Sequence, residues 1–110
     1  MKITVESVLS SHIGNFYIEA FGDLYLNGEL VAWIGFMSKV ELEAEPGENT
    51  IELFFENASN ERMKIKFYAT EDVHIFIRIG LKGVLSTKLA VYTFAKGKDL
   101  KIIEKTETEE

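Results

Sequence analysis

The stretch I51-E-L-F-F-E-N-A-S-N-E-R-M-K-I-K-F67 alternates apolar and polar residues on both sides of a polar turn. A period of two is what a strand with one buried face requires. Ile51, Leu53, Phe55, Met63, Ile65 and Phe67 fall on one side, and Phe54 falls on the other among charges. Pairing the two runs so that residue numbers sum to 118 sets Glu52 opposite Lys66, Phe54 opposite Lys64 and Glu56 opposite Arg62. Leu53/Ile65 and Ile51/Phe67 then share the apolar face. Opposite charges meet on one face and apolar pairs on the other, which is the arrangement that stabilises a hairpin.

The rest of the chain repeats the theme. Strands are expected at 2–8, 16–21, 23–27, 29–36, 38–44, 50–56, 62–69, 73–79, 89–95 and 100–105, with no apolar periodicity of helix length. Asn27-Gly28 reads as a two-residue hairpin turn, because both residues tolerate positive φ. Pro46-Gly47 suits a type II turn, but a tight hairpin there would set Glu41 opposite Glu52, and like charges directly opposed are unfavourable. The expectation is that 38–44 and 50–56 lie in different sheets, with the Pro-Gly corner crossing between them. The run V73-H-I-F-I-R-I79 is expected to pair with 62–69, setting Ile75 against Phe67 and Ile77 against Ile65. Residues 80–88, with two glycines three apart, suggest a loop or bulge. The acidic end at 106–110 is expected to fray.

The 110 residues make one ordinary domain, and the absence of cysteine excludes disulfide frameworks, thiol nucleophiles and cysteine zinc sites. No run approaches the roughly 18 apolar residues of a membrane span. The start, M-K-I-T-V-E-S-V-L-S-S-H, lacks the pattern of a signal peptide, so a cytoplasmic protein is expected. A net charge of −6 opposes nucleic-acid binding, which needs a positive field. That charge is unevenly spread. Residues 38–61 carry one lysine against seven acids, and residues 62–105 carry ten bases against four acids. Packed as neighbouring strands, the two segments would neutralise one another.

The segment from Asp23 to Phe55 resembles PEGA-like domains on Leu24, Leu26, Asn27, Gly28, Val40, Leu42, Pro46, Gly47, Thr50, Ile51 and Leu53. These match the family's "xVxxNG" hairpin and its "VxLxxGxxTIxV" run. The resemblance covers about a third of the chain. It implies a small β-sandwich module without catalytic residues, and so carries no site residue over to this chain.

Catalytic and metal patterns are sparse. His12 and His74 lack the spacing of a zinc site. A triad assembled from Ser10 or Ser11, His74 and Asp72 has no nucleophile elbow beside it. Glu41, Glu43 and Glu45 share one strand face at about 7 Å spacing, open to three uses: a solvated edge, a calcium site or a carboxylate pair. The aromatic residues say more. With 50–56, 62–69 and 73–79 as neighbours, Phe54, Tyr68 and Phe76 share an outward face with Lys64, Lys66 and Arg78 between them. Tyr25 and Trp33 belong either to this surface or to the core. Three uses of the face are open: cover by residues 80–88 or the terminal strands, a subunit interface, or a groove for carbohydrate or an extended peptide.

The expected fold is an all-β, mainly antiparallel sandwich of eight to ten short strands with Ig-like or jelly-roll connections over residues 1–105. Its core would comprise Ile3, Val5, Leu24, Leu26, Val40, Leu42, Ile51, Leu53, Phe55, Ile65, Phe67, Ile75, Ile77, Val91 and Leu100. The expected function is a non-catalytic protein-interaction module or accessory subunit, a homo-oligomer or a partner of another protein, without a cofactor. Its binding residues would be Phe54, Tyr68, Phe76, Lys64, Lys66 and Arg78. The alternative is a small-ligand or carbohydrate-binding module, with or without a dependence on calcium.

Overall fold

The computed structural model describes residues 1–9, 22–35, 38–55, 62–81 and 89–106, with side chains other than those of 8, 9, 55, 62, 78–81 and 89–92. Nine strands run through them: β1 (Lys2–Leu9), β2 (Gly22–Leu26), β3 (Glu29–Ile34), β4 (Lys39–Glu43), β5 (Gly47–Phe55), β6 (Arg62–Ala69), β7 (Val73–Leu81), β8 (Leu89–Gly97) and β9 (Lys101–Thr106). The expected strand at 16–21 lies outside the described residues. The strands form two sheets, ordered β4-β1-β7-β8 and β3-β2-β5-β6-β9. All neighbours are antiparallel except β1 and β7, which run parallel. The all-β sandwich read from alternation is the observed architecture.

The core lies between the sheets. Every second residue of the central strands points inward, so Ile3, Val5, Leu24, Ile51, Leu53, Met63, Ile65, Phe67, Ile75 and Ile77 are fully buried. Ile34, Ala69 and Val73 join them, and these three and Met63 are absent from the expected core. Leu26, Val40, Leu42 and Leu100 are only partly buried and pack against this cluster from its margins. The side chains of Phe55 and Val91 lie outside those described.

Turn chemistry fixes the connections. Asn27 (φ 52°) and Gly28 (φ 84°) make the tight turn between β2 and β3, both with the positive φ that a primed hairpin turn demands. That hairpin is also bolted to β5. The backbone N–H of Asn27 donates to the Thr50 carbonyl at 2.8 Å, and the Thr50 N–H donates to Asn27 Oδ1 at 2.8 Å. Asn27 Nδ2 donates to Oδ1 of buried Asn49 at 2.9 Å, whose Nδ2 donates to the Glu45 carbonyl at 2.9 Å. A buried amide is thus paired on both sides, which keeps its desolvation cost covered. Where the chain crosses from β3 to β4, Ser7 clamps it: its Oγ donates to the Gly35 carbonyl at 2.8 Å and accepts from the Ser38 N–H at 2.9 Å.

Two expectations of strand pairing are corrected. First, β5 and β6 pair with numbers summing to 116, so Glu52 lies opposite Lys64, Phe54 opposite Arg62 and Ile51 opposite Ile65. A shift of two residues leaves every side chain on the same face, and so the alternation alone does not distinguish the two registers. Second, β7 is not the neighbour of β6. It lies in the other sheet between β1 and β8, and β9 takes the place beside β6. The corner at 70–72 enforces this crossing. Thr70 donates its backbone N–H to the Asp99 carboxylate at 3.1 Å and its hydroxyl to the same group, while Asp72 Oδ1 accepts the N–H of Lys2 at 2.8 Å. By contrast, 38–44 and 50–56 do occupy different sheets, as the clash of Glu41 with Glu52 requires. Strand β9 also takes in Thr106, the first residue of the segment expected to fray.

Candidate functional site

The relocation of β7 divides the expected binding surface between the two outsides of the sandwich. Phe54, Lys64, Lys66 and Tyr68 remain on strands β5 and β6 of the five-stranded sheet, whereas Phe76 and Arg78 belong to the four-stranded sheet. The six residues therefore do not form one surface. Arg78 lies opposite Val8 and Tyr92 by register, and its side chain is outside those described.

On the five-stranded sheet, strand pairing gathers a new set of side chains around Phe54. Asp23 lies between Phe54 and Trp33 in one cross-strand row, and Tyr25 lies between Glu52 and Leu30 in the next. Trp33 is 55% exposed, Leu30 57%, Tyr68 44% and Phe54 37%. Tyr25 and Phe54 meet edge to face, their ring centroids 5.3 Å apart, the geometry that a ring quadrupole favours. A register irregularity between Leu24 and Tyr25 makes Val31 an extra residue of β3. That bulge brings Leu30 and Trp33, three apart in sequence, to the same outer side. Trp33 and Tyr25, either core or surface by sequence alone, are surface residues.

Two bases of this face are matched by acids. Lys66 Nζ lies 3.2 Å from Glu48, and Lys64 Nζ lies 3.6 Å from Glu104. The acidic and basic segments of the chain thus meet across β5 and β6, as expected from their charges, whereas the Lys64–Glu104 pair lies within the basic segment. The result is a polar half of paired charges adjoining an apolar half of Leu30, Trp33, Tyr25 and Phe54.

The outer face of the four-stranded sheet is built differently. His74 and Phe76 stack at 4.0 Å with planes 4° apart, and Phe76 stacks on Phe94 across the strand at 4.8 Å and 14°. His74 Nε2 lies 2.9 Å from Glu6 Oε1, and Lys96 Nζ lies 6.0 Å from the centre of the Phe76 ring. Sequence reasoning missed Glu6 and Phe94. Parity in V91-Y-T-F-A95 already put Phe94 outward once Val91 was taken as core, but the parallel neighbour of β7 leaves no local signal.

The candidate catalytic and metal-binding residues are placed only in part. His12, Ser10 and Ser11 lie outside the described residues. His74 takes Glu6 rather than Asp72 as its partner. Glu41 and Glu43 sit on the edge strand β4, Glu41 paired with Lys2 at 3.3 Å, and Glu45 is exposed beyond the strand end. Among the described residues no group of three or more His, Asp or Glu is placed to hold a metal ion. An open depression of ≈ 330 Å³ is lined by Glu71, Asp72 and Lys98, where Lys98 Nζ lies 3.9 Å from Glu71. It adjoins Ala69, at the far end of β6 from the Phe54 row.

Comparison with family models, with curated proteins and with solved structures finds no match to this chain.

Proposed function

We propose that the chain is a non-catalytic interaction module that associates with a second copy of itself through the outer face of the five-stranded sheet. The observation that carries this reading is the cluster of Leu30, Trp33, Tyr25 and Phe54 on three adjacent strands, with Trp33 and Leu30 more than half exposed. Aromatic anchors bordered by polar groups are the composition of association surfaces. The choice of a second copy rests on charge. Because Lys64 and Lys66 are already matched by Glu104 and Glu48, the face offers no field of one sign to a strongly charged partner. A neutral face, half apolar and half paired, is complementary to itself.

The test is the absolute mass in solution by size-exclusion chromatography with light scattering. The native chain is expected to be a dimer and Trp33→Ser/Phe54→Ser a monomer that still unfolds cooperatively, with a Tm that no longer depends on protein concentration. Phe76→Ser, altered on the opposite outer face, is expected to leave the dimer intact. A native chain that stays monomeric at high concentration overturns the reading. If that monomer is stabilised against heat by an oligosaccharide, the carbohydrate-binding alternative replaces it.

A further inference from the structure

Asn27-Gly28 is the only Asn-Gly pair in the chain, and of all dipeptides this is the one whose asparagine deamidates most readily. The reason is steric: glycine has no Cβ to hold the reacting groups apart. In the reaction the Gly28 backbone nitrogen gives up its proton to base and attacks the carboxamide carbon of Asn27. The bond from that carbon to Nδ2 breaks, ammonia leaves, and a five-membered cyclic imide remains. Water then adds to either imide carbonyl and opens the ring, leaving an aspartate or, with the backbone rerouted through the side chain, an isoaspartate. The sum is hydrolysis of an amide to an acid and ammonia, without oxidant or cofactor.

The folded hairpin closes this route twice. Asn27 has φ 52°, and for a non-glycine residue that value belongs to the left-handed region, where ψ is about +30 to +60°. At such ψ the Gly28 nitrogen and the Asn27 Cβ lie on opposite sides of the Cα–C bond, whereas the imide ring needs them on the same side. Ring closure therefore requires a large rotation in ψ, which undoes the turn. The side chain is held as well. Asn27 Oδ1 accepts the Thr50 N–H at 2.8 Å, and Nδ2 donates to Asn49 Oδ1 at 2.9 Å. Both heteroatoms of the carboxamide are thus bound to β5, and it cannot swing toward Gly28 while both bonds hold.

We propose that Asn27 is a deamidation site gated by the docking of the β2–β3 turn on β5, and that the gate, once passed, does not close again. The docked turn is inert and the open turn reacts. In the product an oxygen replaces Nδ2, so a carboxylate faces Asn49 Oδ1 where a donor stood. Turning the Asn49 amide over would restore that contact but set its oxygen against the Glu45 carbonyl, which accepts from Asn49 Nδ2 at 2.9 Å. Asn49 is 3% exposed, and a buried polar group left without a partner is costly. An isoaspartate adds a backbone carbon between the two turn residues and shifts them out of the primed-turn geometry. Either product loosens the turn that leads into β3, the strand of Leu30 and Trp33.

Peptide mass mapping of the full chain, kept at mildly alkaline pH, tests the gate. Asn27 is expected to deamidate more slowly in the folded chain than in the chain unfolded by urea, by a factor that matches the open fraction read from hydrogen exchange at the Thr50 N–H. Asn49→Ala removes one hydrogen bond of the clamp and is expected to speed the folded-state reaction about two- to tenfold. Phe76→Ala, on the opposite sheet, is expected to leave it unchanged. The exchange comparison needs no variant, and it decides the question if Asn49→Ala fails to fold. Equal rates in the folded and unfolded chains, a rate that Asn49→Ala leaves untouched, or one that Phe76→Ala raises as much, each overturns the gate. The lasting release is checked on the purified product, whose Thr50 N–H is expected to exchange faster than in the unreacted chain; unchanged exchange overturns that step.

Discussion

On the outer face of the four-stranded sheet, His74, Phe76 and Phe94 lie ring upon ring with Glu6 holding the histidine; on the outer face of the five-stranded sheet, Tyr25 and Phe54 meet edge to face on strands beside that of Trp33 and Leu30. In the first arrangement the rings lie nearly parallel and cover part of one another, although Phe94 at its end is still 48% exposed. The second leaves ring and aliphatic surface turned outward. The two faces thus differ in the geometry of their rings, near-parallel on one and edge to face on the other, and in the aliphatic surface that Leu30 adds to the second.

The comparison can be broken most completely from the layer between the faces. Phe67 is fully buried there, and Phe67→Ala is expected to cost about 3–5 kcal/mol in urea unfolding, enough to threaten both faces at once. A smaller effect sharpens the contrast. Phe76→Ala removes two stacked contacts, each worth about 0.5–1.5 kcal/mol beyond the area buried, whereas Trp33→Ala, at a side chain more than half exposed, is expected to cost less under conditions where the chain is monomeric. Equal losses in unfolding experiments would erase the distinction between the stacked and the edge-to-face cluster.

The smallest effect concerns the corner that sends β6 and β7 to different sheets. The Thr70 hydroxyl, and after it the Thr70 N–H, hold the Asp99 carboxyl below its ordinary pKa of 3.8. A carboxyl depressed in the folded state contributes stability that is complete above its unfolded pKa and is lost as pH falls through the lower folded value. Thermal unfolding followed downward from about pH 5 should therefore fall more steeply for the native chain than for Asp99→Asn. Parallel curves would mean that this carboxylate does not help to set the corner.

Much of this was legible in the chain. The alternation placed Phe54, Lys64, Lys66 and Tyr68 on an outer face, and Asn27-Gly28 and the Glu41/Glu52 conflict located a hairpin and a sheet crossing. What local pattern could not supply was the neighbour of each strand. The sum-116 and sum-118 registers share every face, so Ile51 opposite Ile65 and Ile51 opposite Phe67 look alike from sequence. The place of β7, and with it the separation of Phe76 and Arg78 from Phe54, depends on Thr70 reaching Asp99 and Lys2 reaching Asp72. Those partners are 29 and 70 residues apart. Trp33 went unresolved for a related reason: the bulge that turns Leu30 and Trp33 to one side exists only in the pairing of β2 with β3.

The parallel pair of β1 and β7 also bears on how the molecule is assembled. Strand β1 is central to the four-stranded sheet, yet its register partners Ile3 and Val73 are separated by most of the chain. Closing so long a loop costs entropy before any contact repays it, and topologies of this kind fold in milliseconds to seconds rather than microseconds. The local hairpins β2–β3, β5–β6 and β7–β8 can form early, but β1 must wait with Ile3 and Val5 unburied until β7 arrives. The slow, aggregation-exposed moment in the life of this chain is the insertion of its first strand.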